Sequence, residues 1–115
     1  MSESRPERDF YADVLETVRE IPRGRVTSYG AVAKYLGAAR SNRMVGWALN
    51  GASEQVPAHR VVNRQGELTG RSAFSTPDLM EERLESEGVR VKNHRIVDFA
   101  RYFWDPCVEM EVDLS

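Results

Sequence analysis

One short run of the sequence sets a histidine, which can exchange protons near neutral pH, directly after an alanine, which can do no chemistry. The run reads Val56-Pro57-Ala58-His59-Arg60-Val61-Val62. Pro57 holds its φ at about −65° and favours extended backbone before it, so Ala58 and His59 are predicted to stand on a rigid turn leading into a β-branched strand. On its own, such a run is interpreted by default as a turn before a buried strand, with His59 bonded to a backbone carbonyl.

The other residues that could hold a metal or act as nucleophiles are few. Cys107 is the only cysteine, and His59 and His94 are the only histidines. These three side chains cannot complete a four-ligand zinc site, and a lone cysteine cannot form an intramolecular disulfide. The sequence therefore predicts no metal and no cofactor, and His94 is interpreted as a turn residue on the surface.

The composition is typical of one globular domain. A chain of 115 residues that is 41% hydrophobic and 30% charged can bury a sizeable core without disulfides or metals. No apolar run approaches the length of a membrane span, and residues 1–9 lack the basic start and apolar centre of a signal peptide. These features predict a single cytoplasmic domain over residues 1–115, with no membrane association.

Positive charge is concentrated in the middle of the chain. The net charge is −2, yet residues 19–64 carry eight lysines and arginines against two acids, whereas both flanks are acidic. This segment also contains the run around His59. A solvated basic face and a site for a polyanion explain the charge pattern about equally well.

Four amphipathic stretches predict helices that would position these residues. A capping box, Ser4-Arg5-Pro6-Glu7, opens the first helix, a hydroxyl of Thr27-Ser28 can cap the second, and Ser41 is predicted to cap the third. Gly37 suits the left-handed position that ends the second helix. The helices are expected to end near Glu20, Leu36, Asn50 and Glu87, the fourth beginning near Leu79.

The second and third helices, joined by a tight glycine turn, make a helix-turn-helix candidate. On the third helix Val45 and Leu49 are predicted to point inward, whereas Arg43, Gly46 and Asn50 lie on another side. A glycine inside a helix costs up to about 1 kcal/mol relative to alanine. Gly46 is explained either by close packing against another helix or by the approach of a DNA backbone.

The main sheet is predicted to be a β-hairpin. Its strands are Arg60-Val61-Val62 and Glu67-Leu68-Thr69, joined by residues 63–66. The tail carries a further strand signal at Val89-Arg90-Val91 and an aromatic group over residues 99–104, interpreted as a flap on the core. The predicted fold class is mainly α with a small β-hairpin, a winged-helix-like helix-turn-helix domain.

Taken in order, the helix-turn-helix, Pro57-Ala58-His59-Arg60-Val61 and Glu87-Gly88 resemble the DNA-binding domain of O6-alkylguanine-DNA alkyltransferases over about residues 10–91, with 92–115 as an aromatic extension. In that family the run is Pro-Cys-His-Arg-Val, and the cysteine takes the alkyl group from guanine. Here Ala58 stands at the cysteine position. The chain thus resembles the alkyltransferase-like proteins, which bind O6-alkylguanine in DNA without repairing it and hand the lesion to nucleotide excision repair.

The resemblance implies roles for residues of the helix-turn-helix. Arg43 matches an arginine finger that enters the base stack in place of the flipped nucleotide, and Tyr29 matches a tyrosine that presses on the neighbouring phosphate. A planar guanidinium can stack on bases and hydrogen-bond to the orphaned partner. The remaining residues expected to face the minor groove are Ser41, Asn42, Met44 and Gly46.

His59 and Glu87 match the pair that, in active members of the family, draws a proton from the cysteine through a water. A general base is useful only when its nucleophile is present. With Ala58 in the cysteine's place, the pair is expected to be a structural remnant. The expected lesion pocket surrounds this run and includes a later loop: Val56, Pro57, Ala58, His59, Arg60, Arg71 and Ser72, together with Phe74.

The resemblance implies a non-enzymatic monomer whose partners are double-stranded DNA containing O6-alkylguanine and the proteins of nucleotide excision repair. Three alternatives remain open at this point. Ala58 can be an engineered substitution in an active alkyltransferase. Cys107 can act as the acceptor if the fold brings it beside His59. The chain can also be a helix-turn-helix transcription regulator that reads sequence in the major groove.

Overall fold

The protein is described here by a computed structural model that covers residues 7–37 and 41–110. Two small sheets and a set of short helices follow one another along the chain. In chain order they are α1 (Glu7–Arg19), β1 (Thr27–Ser28), α2 (Tyr29–Tyr35), α3 (Asn42–Asn50), β2 (Val61–Val62), α4 (Leu79–Ser86), β3 (Val91–Lys92), β4 (Arg95–Ile96), α5 (Phe99–Tyr102) and α6 (Pro106–Glu109).

The four predicted helices are confirmed as α1 to α4, with ends within about one residue of those expected. The hydroxyl of Ser28 caps α2 by accepting a hydrogen bond of 3.0 Å from the Ala31 amide, and Gly37 has the left-handed φ of 76°. Ser41 precedes α3, but its side chain makes no capping hydrogen bond. The capping box at residues 4–7 lies mostly outside the described residues, as does the turn over 38–40.

The predicted hairpin between residues 60–62 and 67–69 is wrong. Val61–Val62 instead pairs in parallel with Thr27–Ser28. The second segment turns towards the C-terminal part of the chain, where Glu67 bridges to Arg95 and the Leu68 amide donates to the His94 carbonyl at 2.9 Å. A small hairpin does exist, but it is the antiparallel pair β3–β4. The class of mainly α with a small hairpin is therefore confirmed, with the hairpin at other residues.

The strand β2 divides the hydrophobic core. Successive side chains of a strand point to opposite sides, so the two neighbouring valines face different clusters. Val61 packs with the buried faces of α1, α2 and α3, whereas Val62 packs with α4 residues such as Met80 and Leu84. The run around His59 therefore lies where the helix-turn-helix meets the α4 region.

The C-terminal aromatic segment is clamped to the loop before β1. The Val26 amide donates to the Tyr102 carbonyl at 3.0 Å, and the Trp104 amide donates to the Val26 carbonyl at 2.7 Å. Arg25 adds two side-chain hydrogen bonds, to the carbonyls of Tyr102 and Phe103. Trp104 is 5% exposed and belongs to the same cluster as α1 and α3. The prediction of an aromatic flap on the core is confirmed.

No helix within residues 7–37 and 41–110 has the length and apolar character needed to cross a bilayer.

Candidate nucleic-acid interface

The outward face of α3 borders an open groove of about 760 Å³. Val45 and Leu49 anchor the helix in the core, so the opposite side is left exposed. That side carries Asn42, Arg43, Trp47 and Asn50, with Gly46 between them. In the described part of the chain, the guanidinium of Arg43 has no hydrogen-bonding or ion-pair partner, so it is free to meet a ligand.

A smaller cavity of about 110 Å³ opens beside Ala58. The groove and the cavity have wall residues in common, so a group lying in the groove could reach the cavity directly. The shared residues are Tyr29, Gly46, Asn50, Gly70 and Ala73. The rest of the wall is formed by Leu49, Ala52, Ser53, Glu54, Val56, Ala58, Phe74, Ser75 and Arg83.

Two glycines line the passage where the groove meets the cavity, beside Tyr29. A methyl group at Gly70 would lie 2.7 Å from the Tyr29 hydroxyl oxygen, which is closer than real contacts allow. A methyl group at Gly46 would lie 3.9 Å from the Tyr29 ring, an ordinary van der Waals distance. Close packing against another helix therefore does not explain Gly46 among the described residues. Its missing side chain instead leaves space on the groove side of α3.

Tyr29 stands at this passage as a neutral phenol. Burial raises the pKa of its hydroxyl above the ordinary value of 10.0, and a hydrogen bond with Thr69 opposes that rise. A neutral hydroxyl can donate to an anionic oxygen without charge repulsion, whereas a phenolate could not. Tyr29 is therefore suited to face a phosphate.

The 3₁₀ turn Ala58–Arg60 separates the side chains of the central run. Such a turn has about three residues per turn, so consecutive side chains diverge by roughly 120°. Ala58 lines the cavity, whereas Pro57, His59 and Arg60 lie along a shallow surface depression with Arg19, Glu54 and Gln55. Val56 and Ala58 are thus the members of the run that line the cavity, whereas Pro57, His59 and Arg60 lie outside its lining.

The carboxylate of Glu87 joins His59 to two other groups, the Arg60 guanidinium and the Gly24 amide. His59 Nε2 lies 2.8 Å from Glu87 Oε2, and Arg60 donates to both carboxylate oxygens at 2.8 to 3.3 Å. The backbone amide of Gly24 donates to Glu87 Oε1 at 3.0 Å. Arg60 also donates to the carbonyl of Ile21 at 2.8 Å. The cluster ties the 3₁₀ turn, the end of α4 and the loop after α1 together.

The pKa values within this cluster follow from its geometry. Burial raises the pKa of the Glu87 carboxyl, but hydrogen bonds from Arg60, Gly24 and His59 outweigh it and bring the value from 4.5 to about 2. Burial lowers the pKa of His59 more than the Glu87 carboxylate raises it. His59 is thus neutral at pH 7 and donates its Nε2 proton to Glu87. Its buried Nδ1 has no hydrogen-bonding partner among the described residues.

Of the three loop residues expected to line the lesion pocket, only Phe74 lines the cavity. Arg71 turns back and donates to the carbonyl of Leu68 at 3.0 Å, so it does not line the cavity. Ser72 lines the groove, and Phe74 lines the cavity as expected. The 3₁₀ turn Arg71–Ala73 explains the divergence of these neighbours. On α3, Asn42 and Gly46 line the groove, whereas Ser41 and Met44 are half-buried at its start and outside the lining.

Cys107 does not belong to the site. It is exposed on α6 and lines neither the groove nor the cavity. Over the described residues, histidine, cysteine, aspartate and glutamate side chains also form no group of three that could hold a metal ion.

Sequence reasoning missed several side chains that line the groove or the cavity, among them Trp47 and Arg83. Trp47 is 57% exposed on the groove side of α3, and Arg83 reaches the cavity from α4. Trp47 lies four residues after Arg43 and was recognisable as a neighbour on the same helix face. Arg83 carried no comparable signal, because its contact with the cavity depends on how α4 packs against distant loops.

Residues 9–89 match the family model described as 6-O-methylguanine DNA methyltransferase, DNA binding domain. The chain belongs to the alkyltransferase-like proteins of this family. Among the relatives of this alkyltransferase-like chain is alkyltransferase-like protein 1 of Schizosaccharomyces pombe, which is 34% identical over 104 residues, or 85% of this chain and 96% of the relative. The DNA base-flipping protein of Escherichia coli is 41% identical over 103 residues, or 86% and 77% of the two chains.

Solved structures of the family superpose on this alkyltransferase-like fold. S. pombe Atl1 in complex with damaged DNA containing O6-carboxymethylguanine gives a TM-score of 0.77 at 34% identity, covering 90% of this chain and all of the other. Mycobacterium tuberculosis OGT in complex with DNA gives 0.63 at 34% identity, covering 69% of this chain and 49% of that one. These neighbours confirm the helix-turn-helix class.

Proposed function

We propose that this protein binds O6-alkylguanine in double-stranded DNA by flipping the nucleotide into the cavity beside Ala58, and that it leaves the alkyl group in place. The observation that carries the proposal is the cavity, which opens from a groove on the exposed face of α3 and has a methyl group at the position where the family's transferases hold their cysteine. A named relative is a DNA base-flipping protein, and another is seen with damaged DNA.

The physical arrangement supports flipping in three ways. The unpartnered Arg43 guanidinium can fill the gap in the base stack and bond to the orphaned base. The neutral Tyr29 hydroxyl at the passage can face the adjoining phosphate. The glycines at positions 46 and 70 let a nucleotide pass between the groove and the cavity. Base flipping costs a few kcal/mol, so such compensating contacts are needed.

Arg43→Ala tests the proposal directly. We expect this variant to bind a duplex containing O6-methylguanine about tenfold more weakly, because a stacked side chain contributes about 1 to 3 kcal/mol. The preference for this duplex over an unmodified one should fall towards unity. Equilibrium titrations of fluorescent duplexes, repeated at several salt concentrations, measure both quantities.

The salt slope and the lesion preference together separate insertion from simple phosphate contact. Loss of a simple phosphate contact reduces the slope of log K against log salt by about 0.9 for modified and unmodified duplexes alike, whereas loss of an inserted side chain also removes the preference for the lesion. Arg90→Ala is the matched control, because Arg90 is exposed and lines neither the groove nor the cavity. An Arg43→Ala variant that keeps its full lesion preference would show that Arg43 is not the finger.

Trp47 is expected to contact the DNA along the groove and to contribute equally to binding of modified and unmodified duplexes. Its indole lines the groove and not the cavity. We expect Trp47→Ala to weaken binding to both modified and unmodified duplexes about fivefold, with the ratio between them unchanged. The same titrations measure this, and Val108→Ala, which removes another exposed apolar side chain, is the control. A change in the ratio would place Trp47 in lesion recognition.

The chain acts as a monomer in the cytoplasm and is associated with the nucleoid when it is bound to DNA. It marks the lesion for proteins of nucleotide excision repair, because without a nucleophile it cannot remove the alkyl group itself. The absence of these repair proteins from complexes captured on lesion-containing DNA would contradict this partner.

A further inference from the structure

Opposite charges lie together in the wall of the lesion cavity. Arg83 extends from α4 and forms an ion pair with Glu54, which belongs to the loop after α3. Among the described residues that line the cavity, these are the only cation and the only carboxylate. The guanidinium also lies 5.8 Å from the centre of the Phe74 ring, a cation–π distance. Neither charge is used by the flipping step proposed above.

The side chains of Arg83 and Glu54 differ in burial and in the contacts that fix them. The Arg83 side chain is 31% exposed and is supported by Phe74, whereas the Glu54 side chain is 77% exposed. An exposed ion pair contributes only about 0 to 1 kcal/mol, since water solvates both charges well. Glu54 can therefore leave Arg83 at little cost, while Arg83 stays in the wall.

We propose that Arg83 is a specificity-determining residue that favours O6-alkyl groups ending in an anion, such as a carboxylate, which replaces Glu54 as its partner. The proposal rests on the proposed function, because it assumes that the modified base enters this cavity. Arginine presents a planar fork of donors that fits a carboxylate with two parallel hydrogen bonds. Glu54 competes for the same donors and keeps the cavity electrically balanced when the adduct is neutral.

Two adducts that differ mainly in charge test this assignment. One duplex contains O6-carboxymethylguanine and the other contains O6-carbamoylmethylguanine, in which an amide replaces the carboxylate. The readout is the ratio of the two affinities, measured by equilibrium titration at low and high salt. A ratio cancels effects of a substitution on DNA binding in general.

The two partners are expected to move this ratio in opposite directions. Glu54→Gln removes the competing anion and should raise the preference for the carboxymethyl adduct about fivefold, whereas Arg83→Gln should lower it by about the same factor. Glu82→Gln removes an exposed acid from α4 that does not line the cavity, and it should leave the ratio unchanged. High salt should shrink both effects.

The outcomes separate this inference from the proposed function. If the unsubstituted protein prefers O6-methylguanine to guanine but both variants keep its charge ratio, the role of Arg83 is refuted and lesion binding stands. If the unsubstituted protein shows no preference for any modified guanine, the proposed function fails first. Glu54 is largely exposed, so Glu54→Gln carries the test even if Arg83→Gln folds poorly. Changes of the same sign in Glu54→Gln and Glu82→Gln would refute a local contact.

Discussion

Replacement of Ala58 by cysteine is expected to convert the protein into a single-use alkyl acceptor. The new thiol would stand in the cavity wall that the modified base is proposed to meet. Neutral His59 on the same turn donates through Nε2 to Glu87, and its Nδ1 remains available as a proton acceptor. His59 and Glu87, the pair that the resemblance matches to proton transfer from the thiol, therefore lie within hydrogen-bonding distance of each other.

The expected reaction is a single displacement. The thiol proton passes to His59 Nδ1 through a water, and the sulfur attacks the alkyl carbon. A carbon–sulfur bond forms as the bond between carbon and O6 breaks, with its electron pair remaining on guanine, which takes up a proton. The product is an S-alkylated chain and unmodified guanine, and nothing regenerates the thiol.

Mass spectrometry of the intact Ala58→Cys protein, after incubation with a duplex containing O6-methylguanine, measures the transfer. We expect up to one methyl group per chain. Ala58→Ser is the control, because a serine hydroxyl of similar size is a far weaker nucleophile and should remain unmodified. An Ala58→Cys protein that binds the lesion yet stays unmethylated would show that His59 and Glu87 no longer support proton transfer.

A large loss in the free energy of unfolding is expected from Glu87→Ala, because this substitution removes the carboxylate at the centre of the buried charge cluster. The side chains of Arg60 and His59 are 15% and 9% exposed, so the variant leaves a mostly buried guanidinium without its carboxylate. Breaking a buried pair on one side costs about 3 to 5 kcal/mol. Unfolding by urea at pH 7 measures the loss. Glu85→Gln, an exposed position on the same helix, is the control and should change stability little.

The same cluster predicts how stability depends on pH. The Glu87 pKa is about 2 in the folded protein against an ordinary value of 4.5, so between these values the unfolded chain binds more protons. The contribution of Glu87 is complete above pH 4.5 and is lost as the pH falls towards 2, a change of about 3 kcal/mol. His59, whose pKa is also lowered, adds a loss that begins below about pH 6.5. Equal acid sensitivity of the protein and Glu87→Ala would contradict this account.

The helices could be predicted because their signals are local. Apolar spacing, the Ser28 cap and the left-handed glycine after α2 each act within a few residues, and α1 to α4 appear close to where these signals put them. The inward side of α3, with Val45 and Leu49, follows from the same periodicity. Local patterns therefore also predicted which side of α3 is open to a ligand.

The sheet and the cavity wall depend on contacts between distant residues. Val61–Val62 reads equally well as a strand of a local hairpin or as a partner of Thr27–Ser28, and only tertiary packing selects the latter. The 3₁₀ turn at Ala58–Arg60 is too short to leave a periodic signal, so the different surfaces that Ala58 and His59 line were not predictable. Arg83 enters the site for the same reason, through the placement of α4.

The clamp between the aromatic segment and the loop before β1 ties the C-terminal residues to the hydrophobic core of the helix-turn-helix. The matched family region ends at residue 89, yet Trp104 fills the interior beside α1 and α3, and its amide is bonded to Val26. Truncation of the chain at residue 89, where the family match ends, would therefore remove Trp104 from the hydrophobic core.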